Sequence, residues 1–106
     1  MNSTRVMMDE RFMMNKKALK NVLKDLATVQ PVSFTSMDAT CSRGLYGITG
    51  QSLAKKFPYA VTVDGLGNHY VEADMVIPLL VQACRELNDK VGSLEQRVAA
   101  LEGQKA

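Results

Sequence analysis

Tryptophan is absent from this chain, and its aromatic side chains amount to three Tyr and three Phe in 106 residues. With so few bulky groups, a core built by one copy is short of filling. Seven Met residues take over part of that role, since the flexible thioether chain adapts to irregular gaps. Histidine occurs once, as His69, and cysteine twice, as Cys41 and Cys84, with no metal-type spacing. Zinc wants four such ligands, so neither a metal nor any other cofactor is expected. Cys84 falls on an apolar helix stripe and reads as a small core residue. Charge is nearly balanced, 13 Lys and Arg against 11 Asp and Glu, and a net +2 is too slight to recruit nucleic acid or a membrane surface. The one basic run, Lys16, Lys17, Lys20 and Lys24, has helical spacing and reads as a solvated helix face. No apolar stretch approaches the roughly 20 residues that cross a bilayer. Met1–Met14 mixes Arg5, Asp9, Glu10 and Arg11 among its methionines, unlike a signal peptide, so synthesis in the cytoplasm is expected. There is no Gly-rich phosphate loop, no paired-carboxylate cleft and no Ser-His-Asp set. Gly65-Leu66-Gly67 is too short for a dinucleotide fingerprint.

What is present fits one small domain with ordinary proportions, 46% hydrophobic and 23% charged. Met1–Met14 shows no period and is expected to be extended. From Asn15, a plausible N-cap, Leu19, Val22, Leu23, Leu26 and Val29 recur at steps of three and four, predicting an amphipathic helix that ends before Pro31. Val32–Thr35 alternates and reads as a strand, Ser36–Gly44 as a polar loop, and Leu45–Ile48 as a second short strand. A brief helix is predicted over Gln51–Lys56, stopped by Phe57-Pro58. Ala60–Asp64 and Asn68–Glu72 flank a Gly-containing loop and read as a hairpin.

The last third carries the clearest pattern. Ile77, Leu80, Cys84, Leu87, Val91, Leu94, Val98 and Leu101 are spaced 3, 4, 3, 4, 3, 4, 3. That strict seam marks a coiled coil, with Ile77, Cys84, Val91 and Val98 at a and a leucine at every d. Gly92 is its weak point, and residues 77–102 would make a rod of about 39 Å. In parallel register each g residue faces the e residue five positions on, pairing Lys90 with Glu95 and Arg97 with Glu102. Both pairs have opposite sign, so identical chains pointing the same way satisfy them. Such pairs select orientation more than they add affinity. β-branched a residues with leucine at d favour dimers. Val81 at e and Ala83 at g widen the first heptad, which suits three helices better. The seam alone leaves dimer and trimer open.

Three stretches resemble the endosialidase-type intramolecular chaperone domain, which ends phage tailspikes and tail fibres and also occurs in a eukaryotic membrane-bound transcription factor. Its central motif is matched by Gly47-Ile48-Thr49-Gly50-Gln51-Ser52-Leu53-Ala54-Lys55-Lys56-Phe57-Pro58-Tyr59-Ala60-Val61. Its Tyr-containing strand running into an Ile-Pro-Leu-Leu helix is matched by Tyr70 through Leu80. Its leucine-rich helix and Pro-Val-x-Phe strand are matched by Leu23 through Phe34. The likeness spans about residues 9–102. It implies that Gln51, Phe57 and Pro58 order the globular core, alongside Gly47, Tyr70 and Pro78. Independently of the family, Pro78 reads as an N1 proline opening the last helix, with Asp74 favoured by the helix dipole.

Members of this family often release themselves by cutting a Ser-Asp-x-Arg-x-Lys junction between Ser and Asp, with the lysine the candidate base. Here the matching stretch is Met8-Asp9-Glu10-Arg11-Phe12-Met13. Asp9 and Arg11 fit, but the nucleophile and base positions hold Met8 and Met13. A thioether neither attacks a carbonyl nor accepts a proton at neutral pH, and Ser3, Lys16 and Lys17 lie off the spacing. The chain is therefore expected not to be an enzyme. The expected architecture is α+β: a tail or junction remnant over 1–8, a globular chaperone part of short strands and helices over 9–73, and a helix over 74–106 forming a parallel homotrimeric coiled coil. The resemblance implies a chaperone that trimerises and folds a phage tail fibre or tailspike in the bacterial host cytoplasm. It is either joined to its fibre or made separately from Met1. The alternative is a permanent tip or joint of the fibre, retained in the virion tail. A coiled-coil adaptor unrelated to phage is a more distant one.

Overall fold

The computed structural model describes residues 7–37 and 44–104. Ser3, Cys41 and residues 38–43 of the expected polar loop lie outside the described residues. The architecture is α+β, in the order of a 3-10 turn Glu10–Phe12, helix α1 Val22–Leu26, strands β1 Pro31–Thr35 and β2 Gly44–Ile48, and helix α2 Gly50–Lys56. A second 3-10 turn Pro58–Ala60, strands β3 Val61–Val63 and β4 His69–Val71, and the long helix α3 Ala73–Gln104 complete it.

The helix expected from Asn15 forms only over Val22–Leu26. Asn15 and Asn21 both adopt the left-handed backbone region, which breaks a right-handed helix and which asparagine tolerates better than most residues. Asn21 makes no side-chain cap. Instead the carboxylate of Glu86, on α3, accepts hydrogen bonds from the Val22 and Leu23 amides at 2.9 and 3.0 Å. That tertiary cap fixes where α1 starts, because extending the helix backwards would take those amides away from Glu86. The lysines are accordingly exposed but do not form a helix face. Only Lys24 is helical, and Lys16 pairs with Glu10 at 2.6 Å.

The two predicted strands pair antiparallel as β1 and β2, with Val32 opposite Gly47 and Phe34 opposite Leu45 on one face. A Cβ added at Gly47 would lie 2.9 Å from the Phe34 ring, so the glycine makes room for that ring. The second hairpin pairs Val61 with Val71 and Val63 with His69. Its loop is organised by Asp64, whose carboxylate accepts from the amides of Leu66 and Asn68, from the Asn68 side-chain amide and from the Tyr70 hydroxyl. Those donors, the Asn68 amide foremost, hold the Asp64 carboxyl below the usual aspartate range. Gly67 takes the positive φ that closes the turn.

Among the described residues, six buried apolar side chains make the core, in two clusters: Val22, Leu79 and Ala83, and Leu53, Ala60 and Val76. Phe57 packs on both and joins them. α3 thus serves the globular part through Val76, Leu79 and Ala83 and then runs on alone. It passes through Gly92 without a break. Pro78 is not at its start, as an N1 proline would be, but six residues in. The helix opens earlier because the Met75 amide donates to the Glu72 carbonyl, which adds residues ahead of the proline.

Candidate functional site

Two different faces of α3 do two different jobs. Val76, Leu79, Ala83 and Glu86 point into the globular part of their own chain. At 3.6 residues per turn, the heptad seam lies about 100° around the helix from that face. Within one chain the seam has no partner: Ile77, Leu80, Leu87, Val91, Leu94, Val98 and Leu101 are each between 44% and 59% exposed. Cys84 is exposed with them, so it is not a core residue of the single chain. A side chain that retains half its surface open in a row of seven such neighbours leaves a continuous apolar stripe along the helix. Scattered apolar side chains on a surface need no explanation, but a contiguous stripe marks an interaction surface.

Beyond the globular part the stripe is flanked by charge. Lys90, Glu95, Arg97 and Glu102 are exposed, and none of them enters the ion pairs among the described residues, which join Asp9 to Arg11, Glu10 to Lys16 and Asp25 to Lys56. They remain available to a second helix. Near the start of α3 the flanks differ. Ala83, expected at the edge of a widened seam, is instead buried against Val22 of its own chain. The first heptad is widened only at Val81, which is 57% exposed. Val81, Ile77 and Pro78 form one wall of a groove of about 630 Å³, whose other wall is Met8, Ala18 and Leu19.

Glu86 escaped sequence reasoning. It occupies a heptad position normally given to solvent, and nothing local distinguishes it from other surface glutamates. In the fold, the backbone amides of Leu23 and Val22, the Gln82 side chain and the charge of Lys90 hold its carboxyl below the ordinary value of 4.5, against an opposing effect of burial. The stripe Val76, Leu79, Ala83, one residue out of step with the seam, was the available signal for the face on which Glu86 sits.

The motif residues separate into those that build the core and those that do not. Phe57 bridges both clusters, and Tyr70 holds Asp64 in its loop. Gln51 and Pro58 are exposed and do not enter the core as expected; Gln51 instead lies 3.4 Å from His69 Nδ1. Gly50, just ahead of Gln51 in the motif, is buried so tightly that a Cβ would stand 2.8 Å from the His69 Cβ. At the junction, Asp9 caps the first 3-10 turn and is gripped by the Arg11 guanidinium, the main reason its carboxyl lies below the usual range. Met8 and Met13, where the resemblance would place a nucleophile and a base, are both exposed. Among the described residues no three His, Cys, Asp or Glu side chains gather as metal ligands, and no helix is long and apolar enough to cross a membrane. Comparisons with protein-family models, curated proteins and solved structures return no match.

Proposed function

We propose that the chain is a trimer-forming chaperone module for a phage tail fibre or tailspike, acting in the host cytoplasm without cutting itself. The observation that carries the reading is the second face of α3. One face is consumed by the chain's own fold, while an unbroken heptad seam is left open with complementary charges along its C-terminal half. Assembly is read from that seam; three strands and the client are read from the family resemblance.

Mechanistically, the module works by proximity. Intertwined β-structure has many long-range pairings and nucleates slowly. Zipping like chains along α3 raises the effective concentration of whatever is joined to or bound by each copy, and it sets all copies in one register. Lys90 with Glu95 and Arg97 with Glu102 reject the antiparallel arrangement, which would bring strands together out of register. The seam is independent of the globular core, so a copy folds its own small domain and still offers the whole stripe to its partners.

The second reading, a permanent tip or joint of the fibre, is favoured by Met8 and Met13. With thioethers at both positions, no release step follows assembly. Co-expression of the fibre gene with and without this chain tests the first reading through the yield of soluble trimeric fibre. Mass spectrometry of virion proteins separates the two, since a transient chaperone is absent from finished particles. Intact-mass measurement of the purified chain after prolonged incubation checks its silence, and a spontaneous cut between Met8 and Asp9 overturns that part.

A further inference from the structure

The seam explains how neighbouring α3 helices meet beyond Glu86, but it does not explain the first heptad, where the g edge of the helix is not bare. We infer that α1 of one copy seats in the groove beside Ile77 and Val81 of the next copy. The first heptad is then a mixed layer of α1 and α3 helices, not a plain coiled coil. The inference rests on the parallel seam proposed above and goes beyond it in naming a second intersubunit contact.

Charge names the occupant. The Lys90–Glu95 and Arg97–Glu102 pairs set identical chains parallel and in register, which places the g edge of one helix beside the e edge of its neighbour at the same height. Up to the end of the first heptad the g residues are Val76, just ahead of it, and Ala83, and both are already buried, Ala83 beneath Val22 of α1. An approaching e edge therefore meets α1 before it meets the neighbouring α3. That e edge is built to receive an apolar element. Ile77 and Val81 are each 57% exposed, and Met8 and Leu19 extend their surface into the groove. A methionine wall adapts to the shape of what enters it.

α1 has matching surface to offer. Val22 is spent on its own chain, while Leu23 and Leu26 are only partly buried there. Heights also agree. α1 runs antiparallel to α3, with its N-terminus at Glu86 and the following Val29 packed in the cluster of Val76, and the groove occupies the same span of the helix. Above Glu86 there is no α1, and the g residues become Lys90 and Arg97, which face their partners directly. The Glu86 cap thus marks the level at which the assembly changes from mixed layer to bare coil.

Placing a photoreactive benzophenone amino acid at Val81 tests this, using equal amounts of light and heavy-isotope chains so that adducts between copies are recognised by mass. Irradiation is expected to join residue 81 of one copy to the segment 22–26 of another. Interchain adducts confined to other segments, in material that sediments as an oligomer, overturn the inference and leave the seam standing. Material that stays single-chain at every concentration overturns both. Should the benzophenone be too bulky to seat, Val81→Asn supplies the second readout. At the rim of a plain coil, where an e residue is only partly covered, that change moves the association midpoint by about threefold at most. In a seated groove it weakens association by about tenfold or more, the loss of a buried valine at each site. A midpoint that moves by about threefold or less overturns the inference.

Discussion

Leu94→Ala separates assembly from folding. Leu94 is 54% exposed in the single chain and touches neither core cluster, so truncating it leaves the fold of one copy intact. In the proposed trimer that open half is what the neighbours cover. At about 0.8 kcal/mol per buried CH₂, removing three carbons with roughly half their surface still to be buried costs about 1.2 kcal/mol per chain. Three copies lose about 3.6 kcal/mol together, so the association constant falls by roughly 400-fold. The midpoint concentration of a trimer follows the square root of that constant and rises by about 20-fold. Sedimentation across a concentration series reads the midpoint, and urea unfolding at high dilution reads the single chain. Leu79→Ala is the mirror image: Leu79 is 6% exposed, and its loss costs about 2–5 kcal/mol of single-chain stability. An unmoved association midpoint for Leu94→Ala, or a single chain destabilised as much as by Leu79→Ala, refutes the division of α3 into two faces.

Other consequences are as direct. Because the folded chain holds Glu86 below its ordinary value, its cap is fully present above about pH 4.5 and is lost as pH falls through the depressed folded value. Urea midpoints of wild type and Glu86→Gln should therefore differ at neutral pH and converge on acidification; Asp9 and Asp64, also depressed, act on both proteins alike and cancel in the difference. Gly50→Ala forces a Cβ against the fixed His69 Cβ and costs about 1–3 kcal/mol in thermal or urea unfolding. Gly47→Ala meets only the Phe34 ring, which is 43% exposed and free to swing, so it stays within about 0.5 kcal/mol of wild type. If the resemblance holds at the junction, installing its Ser and Lys in the double variant Met8→Ser, Met13→Lys should yield a fragment beginning at Asp9, seen by intact mass. A chain that stays whole removes the junction from the resemblance.

The elements most legible in the sequence were those whose reasons are local. The seam from Ile77 to Leu101, the strands at Val32 and Leu45, the helix before Phe57 and the hairpin around Gly67 all followed from period, turn residues and breakers. What escaped depends on contacts distant in the chain. The 3.6-residue period through Leu19 is real, yet the helix starts at Val22 because Glu86, more than sixty residues on, supplies the cap. Pro78 looked like a helix start because an N1 proline is the common case, and only the Met75–Glu72 hydrogen bond shows the helix beginning earlier. Ala83 read as part of the seam because position g adjoins it. Which neighbour claims a g residue, its own α1 or another α3, is decided by tertiary packing.

The dimensions of the chain bear on the same question. A compact protein of 11.7 kDa has an accessible surface of about 5,900 Å² and, at 106 residues, a radius of gyration near 13 Å. This chain exposes 9395 Å² and has a radius of gyration of 19.1 Å. α3 contributes to that excess, since beyond Glu86 it runs on without packing against either core cluster. Among the described residues, a core of six buried apolar side chains stands against seven large apolar side chains left half-open along one stripe, a proportion in keeping with the proposed assembly. α3 is the element that makes this workable. Its first turns complete the small core, so a single copy has a defined shape before it meets another. The remaining turns carry apolar surface that water disfavours and that only a parallel copy covers with every charge matched. In the proposed assembly, folding of the domain and recognition between copies run through one helix, and their separation by about 100° around its axis lets each proceed without undoing the other.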